Sequence, residues 1–226
     1  LTSLAIQPLP AFGETLRLAS WNINNLGAQS GSALRPRAPV RSDHDYIILS
    51  SYGKYLDADL IALQEIGSPE AIWRVFPRDG YELFFSSRYE EEVGSHRQNK
   101  DIYTAMLVRK GIQVEAQEDI PGLEIQVDFG NGPTWTRRAV ALLIQVNGVR
   151  LWVVNLHLKS SCHGKSLAPA QSLDCQVLRQ QRDALEEWVD QQYAKGIPLV
   201  LMGDFNRRFD LHLDRDHFWM ELDDHE

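Results

Sequence analysis

The sequence predicts an α/β (α+β) protein built from two packed mixed β-sheets flanked by helices. Three observations carry this reading. Short apolar runs bounded by turn residues recur along the chain, as buried strands do. Segments with helical spacing are interspersed among them rather than gathered at one end. An Asn147-Gly148 pair between two apolar runs marks a hairpin, so the strands are not all parallel. The 226 residues show no repeat and no internal boundary, and 1–226 reads as a single domain with room for a substantial core.

Residues 1–15 carry Pro8, Pro10 and Gly13 and read as an arm. Leu16 to Asn22 is the first strand, and Asn24 to Val40, with its Gly and Pro residues, is a loop. Ser42-Asp43 caps a helix that runs to about Leu56, with Tyr46, Leu49, Gly53 and Leu56 along one face. Asp57 and Asp59 end it. Leu60 to Gln64 is the next strand, and Pro69 to Phe76 a short helix with proline in its first turn. Strands are expected over Tyr81 to Ser86, Ile102 to Arg109, Ile112 to Ala116 and Thr134 to Val146. The polar stretch Glu90 to Lys100 reads as a mobile surface loop. Asn147-Gly148 then pairs the Arg137-Arg138 strand antiparallel to Arg150–His157. Asp174 to Lys195 is a long helix, with Leu178, Leu185, Trp188 and Val189 on one side and Gly196 as its stop. Ile197 to Asp204 is the last strand, and Asp216 to Leu222 looks helical.

Hydrophobic and charged contents of 43% and 24% are those of a globular protein, and no apolar run is long enough to cross a bilayer. A net charge of -8 argues against a protein that coats nucleic acid. It leaves room for an enzyme that grips a few phosphates locally and uses a cation. The first residue is Leu1 rather than Met, as expected of a processed precursor or a trimmed chain, and no signal peptide remains to be read. Cys162 and Cys175 bracket a loop rich in Gly, Ser, Pro and Ala. They are either a disulfide, the favoured reading, or two unrelated thiols. Closing a loop of about 15 residues would gain roughly 3 kcal/mol in the chain-entropy model, and the compartment decides whether it forms. Without a CxxC pattern the pair argues against structural zinc.

Four apolar runs end in groups able to hold a metal or a phosphate. Leu60 to Leu63 leads into Gln64-Glu65, and a carboxylate at a strand end suits Mg²⁺, which takes hard oxygen donors and keeps several waters. A surface glutamate is the plainer alternative. Pro198 to Gly203 leads into Asp204-Phe205-Asn206. On an extended chain Asp204 and Asn206 point the same way, the first to orient an attacking oxygen, the second to donate to a phosphate oxygen; turn chemistry alone would also explain them. Leu151 to Leu156 leads into His157, which shares a face with Asn155 and Lys159. It is either an imidazole that bonds or protonates a phosphate oxygen or a hydrogen-bonded core histidine beside a solvated lysine. Leu16 to Trp21 ends in Asn22, and Arg137-Arg138 is an exposed edge or a phosphate clamp. His212, His217 and His225 lie among acidic residues at spacings that fit no common ligand pattern, so they read as a solvated surface.

Taken together, Ser20-Trp21-Asn22-Ile23-Asn24, Leu63-Gln64-Glu65, Asn155-Leu156-His157-Leu158-Lys159-Ser160 and Gly203-Asp204-Phe205-Asn206 resemble the endonuclease/exonuclease/phosphatase superfamily, the deoxyribonuclease I-like fold. The resemblance implies a four-layer α/β sandwich and divalent-metal-dependent cleavage of phosphate esters. It implies Glu65 as metal ligand, Asn22 close to metal or phosphate, and His157 on the scissile phosphate. Asp204 would position the nucleophile, Asn206 stabilise the transition state, and Arg137, more loosely, contact phosphate. The cofactor expected is Mg²⁺, with Mn²⁺ or Ca²⁺ as alternatives. The Cys162–Cys175 pair is similar to that of secreted bacterial members and implies a secreted or periplasmic protein. Some members carry Asp where this chain has Asn24. The family also finishes with a strand bearing Ser-Asp-His, and no such strand follows Asp204; Asp223-Asp224-His225 comes too soon. The chain is therefore expected to lack its C-terminal end. The expected function is a nuclease acting on phosphodiesters of nucleic acid. A lipid-headgroup phosphodiesterase or inositol-phosphate phosphatase, and a non-catalytic binding module that keeps the fold, are the alternatives.

Overall fold

The apolar runs become the inner strands of two sheets in the computed structural model, which describes residues 15–94, 101–130, 132–167, 172–211 and 216–223. In the first sheet β1 (Leu18–Leu26) lies parallel to β2 (Leu60–Ile66). β4 (Tyr103–Arg109) is antiparallel to β2 on one side and to β3 (Tyr81–Phe85) on the other. In the second sheet β10 (Leu199–Asp204) lies parallel to β9 (Val149–His157). β9 is antiparallel to β8 (Val140–Val146), which pairs antiparallel with β5 (Gln113–Glu118). A separate two-stranded ribbon joins β6 (Gln126–Asp128) to β7 (Pro133–Trp135). Both four-stranded sheets are mixed, as expected.

Alternation along the strands explains why their sequences look continuously apolar. On β4, Met106 and Val108 face a central core with Val140, Leu142 and Ile144 of β8. The intervening Ala105 and Leu107 face outward onto α1 (Asp43–Leu56) and α2 (Pro69–Trp73) through Tyr46, Ala71 and Ile72. Ala141 and Leu143 of β8 pack under α4 (Leu173–Ala194) and α5 (His217–Leu222) through Leu178, Leu185, Trp188 and Phe218. Strands covered on both faces carry no polar stripe. The result is helices, sheet, sheet, helices.

Local chemistry sets the ends. Ser42 caps α1 and accepts from the Asp45 backbone N–H, while Asp45 reaches back to the Ser42 N–H, a reciprocal capping box. The Ser-Asp-His at 42–44 is thus a helix cap. Gly196 ends α4 at φ 68°, and Asn147 and Gly148 make the β8–β9 hairpin with φ of 51° and 81°. Cys162 and Cys175 form a disulfide with Cα atoms 4.9 Å apart. No described helix is long and apolar enough to cross a membrane.

Several expectations are corrected. β1 continues past Asn22 to Leu26, but its register with β2 shifts between those residues, where Asn24 and Asn25 adopt positive φ and bulge the strand. The stretch expected as one strand from Thr134 to Val146 is broken, so Arg137 and Arg138 lie in no strand. The Thr136 hydroxyl donates to Leu123 O at 2.6 Å and accepts from the Ile125 N–H at 2.7 Å, and its carbonyl accepts from Arg88; these bonds divert the backbone from a ladder. The stretch expected as a loop from Glu90 begins instead inside α3 (Ser87–Gly94), with an Arg88–Glu92 pair one turn apart at 2.7 Å. Residues 1–14, 95–100, His212 and the Asp224-His225 pair lie outside the described residues. His217 is exposed at the start of α5.

One polar side chain ties the sheets together. Asn155 of β9 is fully buried. Its amide donates to Leu63 O at 2.9 Å and Ala105 O at 2.8 Å, and its oxygen accepts from Gln64 Nε2 at 2.6 Å. All three partners belong to the other sheet, and every polar atom of the amide is satisfied.

Candidate active site

The paired strands bring their ends to one rim. Register places Asn22 beside Gln64 and Asp204 beside His157, so both parallel pairs finish together. Past Gln64 the backbone turns left-handed at Glu65, φ 62°, an unusual conformation for a residue with a β-carbon. Glu65 Oε1 accepts from Asn22 Nδ2 at 3.1 Å and Oε2 from Asn25 Nδ2 at 2.7 Å. Asp204 Oδ2 accepts from the same Asn22 Nδ2 at 2.9 Å. His157 Nε2 lies 3.9 Å from Glu65 Oε1 and 4.0 Å from Asp204 Oδ2. Two carboxylates, an amide and an imidazole from four strands therefore converge.

Asp204 and Asn206 are brought together, but not by an extended chain. β10 ends at Asp204, Asn206 is left-handed at φ 50°, and its backbone N–H donates to Asp204 Oδ1 at 2.9 Å. This is an Asx turn, and it aims the Asn206 amide at Leu158 O, 3.0 Å away. Lys159 is not solvated either: its ammonium sits 2.6 Å from Asp174.

The donor chemistry fits a hard cation. Glu65 Oε1 and Asp204 Oδ2 both reach for one partly positive NH₂ group, so their lone pairs meet at a single point. Mg²⁺ needs only one or two such carboxylates and water for the rest. Among the described residues no three His, Cys, Asp or Glu side chains cluster as a ligand set. Asn22 turns its nitrogen to the carboxylates while its oxygen accepts from the Asn24 N–H at 2.9 Å.

His157 is kept neutral. Burial pushes its pKa down from the ordinary 6.5, and the nearby Arg137 adds to this against the pull of Asp204 and Glu65. Its Nδ1 is buried with no hydrogen-bond partner among the described residues, so the proton belongs on Nε2, the nitrogen that faces the carboxylates. A consequence can be measured. The unfolded chain takes up a proton at this residue as pH drops through about 6.5 while the folded chain does not. Stability from this group is complete above that pH and is lost as pH falls toward the lower, folded value. Denaturant midpoints of the chelator-treated protein should therefore fall on acidification through that window, and His157→Gln should lessen the fall. An equal fall in both proteins would remove His157 as its source.

A cleft of about 280 Å³ runs from Glu65, His157 and Asn206 to Arg35 and Arg137. Arg137 donates to Trp135 O and pairs with Asp101 at 2.9 Å. Its Nε is buried without a partner among the described residues, and burial lowers its pKa. Sequence reasoning missed Arg35 and Asn25. Arg35 Nε donates to Asn25 Oδ1, and among the described residues no carboxylate lies within ion-pair distance of Arg35. A basic residue in the Gly- and Pro-bearing loop after the first strand was the available signal.

A sequence profile described as "Endonuclease/Exonuclease/phosphatase family" matches residues 19–219. Among solved structures, the chain resembles truncated TDP2 of Caenorhabditis elegans (TM-score 0.50, 21% identity, covering 84% of this chain and 62% of that one). It also resembles the human Nocturnin catalytic domain with bound sulfate (0.57, 18%, 91% and 68%). A third is a Bacteroides thetaiotaomicron mannosyl-6-phosphatase (0.58, 15%, 93% and 70%). The chain spans 62% and 48% of the two C. elegans TDP2 structures. At these identities the likeness is one of fold. Among curated proteins none matches in sequence.

Proposed function

The chain belongs to the endonuclease/exonuclease/phosphatase family, and from that premise we propose that it is a divalent-metal-dependent phosphoesterase, specifically a nuclease that hydrolyses phosphodiesters by in-line attack of water. The observation that carries the proposal is the convergence of Glu65, Asp204, Asn22 and His157 within about 4 Å. Glu65 would hold the cation, and Asn22 and Asn25 fix its carboxylate in place. When bound, the cation neutralises charge that builds on the phosphate. Asp204 accepts a hydrogen bond from the attacking water and orients it. His157, neutral, donates from Nε2 to a phosphate oxygen. Asn206 lies beside it at the cleft wall, and Arg35 and Arg137 bracket the substrate's charge. As the water oxygen bonds to phosphorus, its proton passes to the Asp204 carboxylate and the opposite P–O bond breaks; the leaving oxygen departs in line with the bonding pair and takes a proton from solvent.

Export is part of the proposal, supported by the Cys162–Cys175 disulfide, since such bonds persist in oxidising compartments. The test is a substrate panel: oligonucleotides, sphingomyelin and inositol phosphates, each with Mg²⁺, Mn²⁺ or a chelator. Cleavage of oligonucleotides that a chelator abolishes and Mg²⁺ restores is the expected result. Hydrolysis of headgroups alone would move the assignment to the lipid class, and no turnover of any phosphate ester would end the hydrolase reading.

A further inference from the structure

We propose that the β6–β7 ribbon is a base-stacking platform, on which Trp135 and Phe129 hold an unpaired nucleobase beside the scissile phosphate. The cleft would then take single-stranded or frayed nucleic acid and reject an intact duplex. This inference rests on the phosphodiesterase reading above and names the substrate class of that site.

The ribbon pairs with neither main sheet, yet it is firmly built. Thr136 clamps its base through Leu123 and Ile125, and its own Val127 is buried. At its tip Asp128 Oδ1 accepts from the Gly130 and Gly132 N–H groups at 2.7 and 3.2 Å. This frame presents Phe129 and Trp135, 41% and 43% exposed, along the same cleft as Glu65, His157 and Asn206. Exposed rings are common on a surface. Two on an anchored ribbon, lining the wall of a site that holds phosphate-binding groups, ask for a planar apolar ligand joined to an anion. Lys159 Nζ lies 4.9 Å from the centre of the Phe129 ring and steadies it. The Trp135 indole meets no other ring and no cation among the described residues, so a face is left for stacking.

Charge fits the same ligand. Arg137 and Lys159 line the cleft too but share their charges with Asp101 and Asp174, so Arg35, without a carboxylate partner among the described residues, is the cation left to meet a phosphate joined to the ring. Stacking on aromatic side chains requires a base withdrawn from its own stack, which a single strand offers and a duplex does not. A bilayer is the rival occupant. It is disfavoured because the rings line the cleft rather than a basic outer face, and a net charge of -8 repels anionic lipid.

Binding separates the cases. Labelled single-stranded DNA, the same strand with abasic sites, a blunt duplex of equal length and sphingomyelin–phosphatidylcholine vesicles would be titrated with wild type, Trp135→Ala, Phe129→Ala and Trp135→Phe. Wild type should bind the base-bearing strand about tenfold more tightly than the abasic one. Trp135→Ala should erase the preference, Phe129→Ala should reduce it and Trp135→Phe should restore most of it. Equal affinity for the abasic strand or the duplex, or no binding of any oligonucleotide, overturns the proposal. So does vesicle binding lost in Trp135→Ala without a base preference. Hydrolysis is followed separately on the same strands. Base preference without cleavage would sink the nuclease reading and leave the platform, whereas cleavage without preference would do the reverse.

Discussion

Replacing Glu65 with alanine is expected to lower phosphodiester hydrolysis about a thousandfold or more, a loss on the scale of removing charge stabilisation from a transition state. The side chain stands at the end of β2, only 17% exposed, and belongs to none of the three apolar core clusters. What disappears is the carboxylate that Asn22 and Asn25 orient and that sits 3.9 Å from His157. Glu65→Gln tests charge apart from shape: it keeps the volume and should lose nearly as much activity. Turnover with saturating Mg²⁺, a Mg²⁺ titration and a melting curve on the same preparations separate loss of chemistry from loss of fold. Unchanged turnover in Glu65→Ala would show that the converging oxygens are not the reaction centre.

Gly203→Ala is expected to destabilise the fold by about 4 kcal/mol, at the high end for a single methyl group. Gly203 has φ 127°, and an added β-carbon would stand 2.1 Å from Leu156 O and 2.7 Å from Leu156 N. Those are backbone atoms of the partner strand and cannot swing aside. The β9–β10 pairing must open there, and the next pair along is Asp204 with His157, so activity should fall with stability. Gly148→Ala is the control: it too has positive φ, 81°, but nothing lies within 4 Å, and strain alone costs on the order of 1 kcal/mol. Equal denaturant midpoints for the two variants would show that the strand pair yields to the methyl group.

The sheets and the rim they share were legible because burial on both faces leaves continuous apolar runs, and each run that mattered ended in a polar residue at a turn. Glu65, His157, Asp204 and Asn22, which the strand ends bring together, were picked out this way. Arg137 was found in the wrong setting: its neighbours look like a strand, and only the bonds Thr136 makes to Leu123 and Ile125 break it. The Asp204–Asn206 relation failed for a related reason, since alternation presumes an extended chain and Asn206 is left-handed. Arg35 and Asn25 were invisible because no period governs loops, and what marks Arg35 is the want of a nearby carboxylate. Trp135 and Phe129 read as ordinary apolar letters until the ribbon showed them facing a cleft.

Asn155 has a bearing on how such a site can change. Its amide spans the gap between layers, two residues before the imidazole on one side and gripping Gln64, the immediate neighbour of Glu65, on the other. The spacing of imidazole and carboxylate is thus dictated from the interior, like two rafters pinned at the ridge. The β6–β7 ribbon makes none of these bonds, so a change there leaves the distance from imidazole to carboxylate untouched.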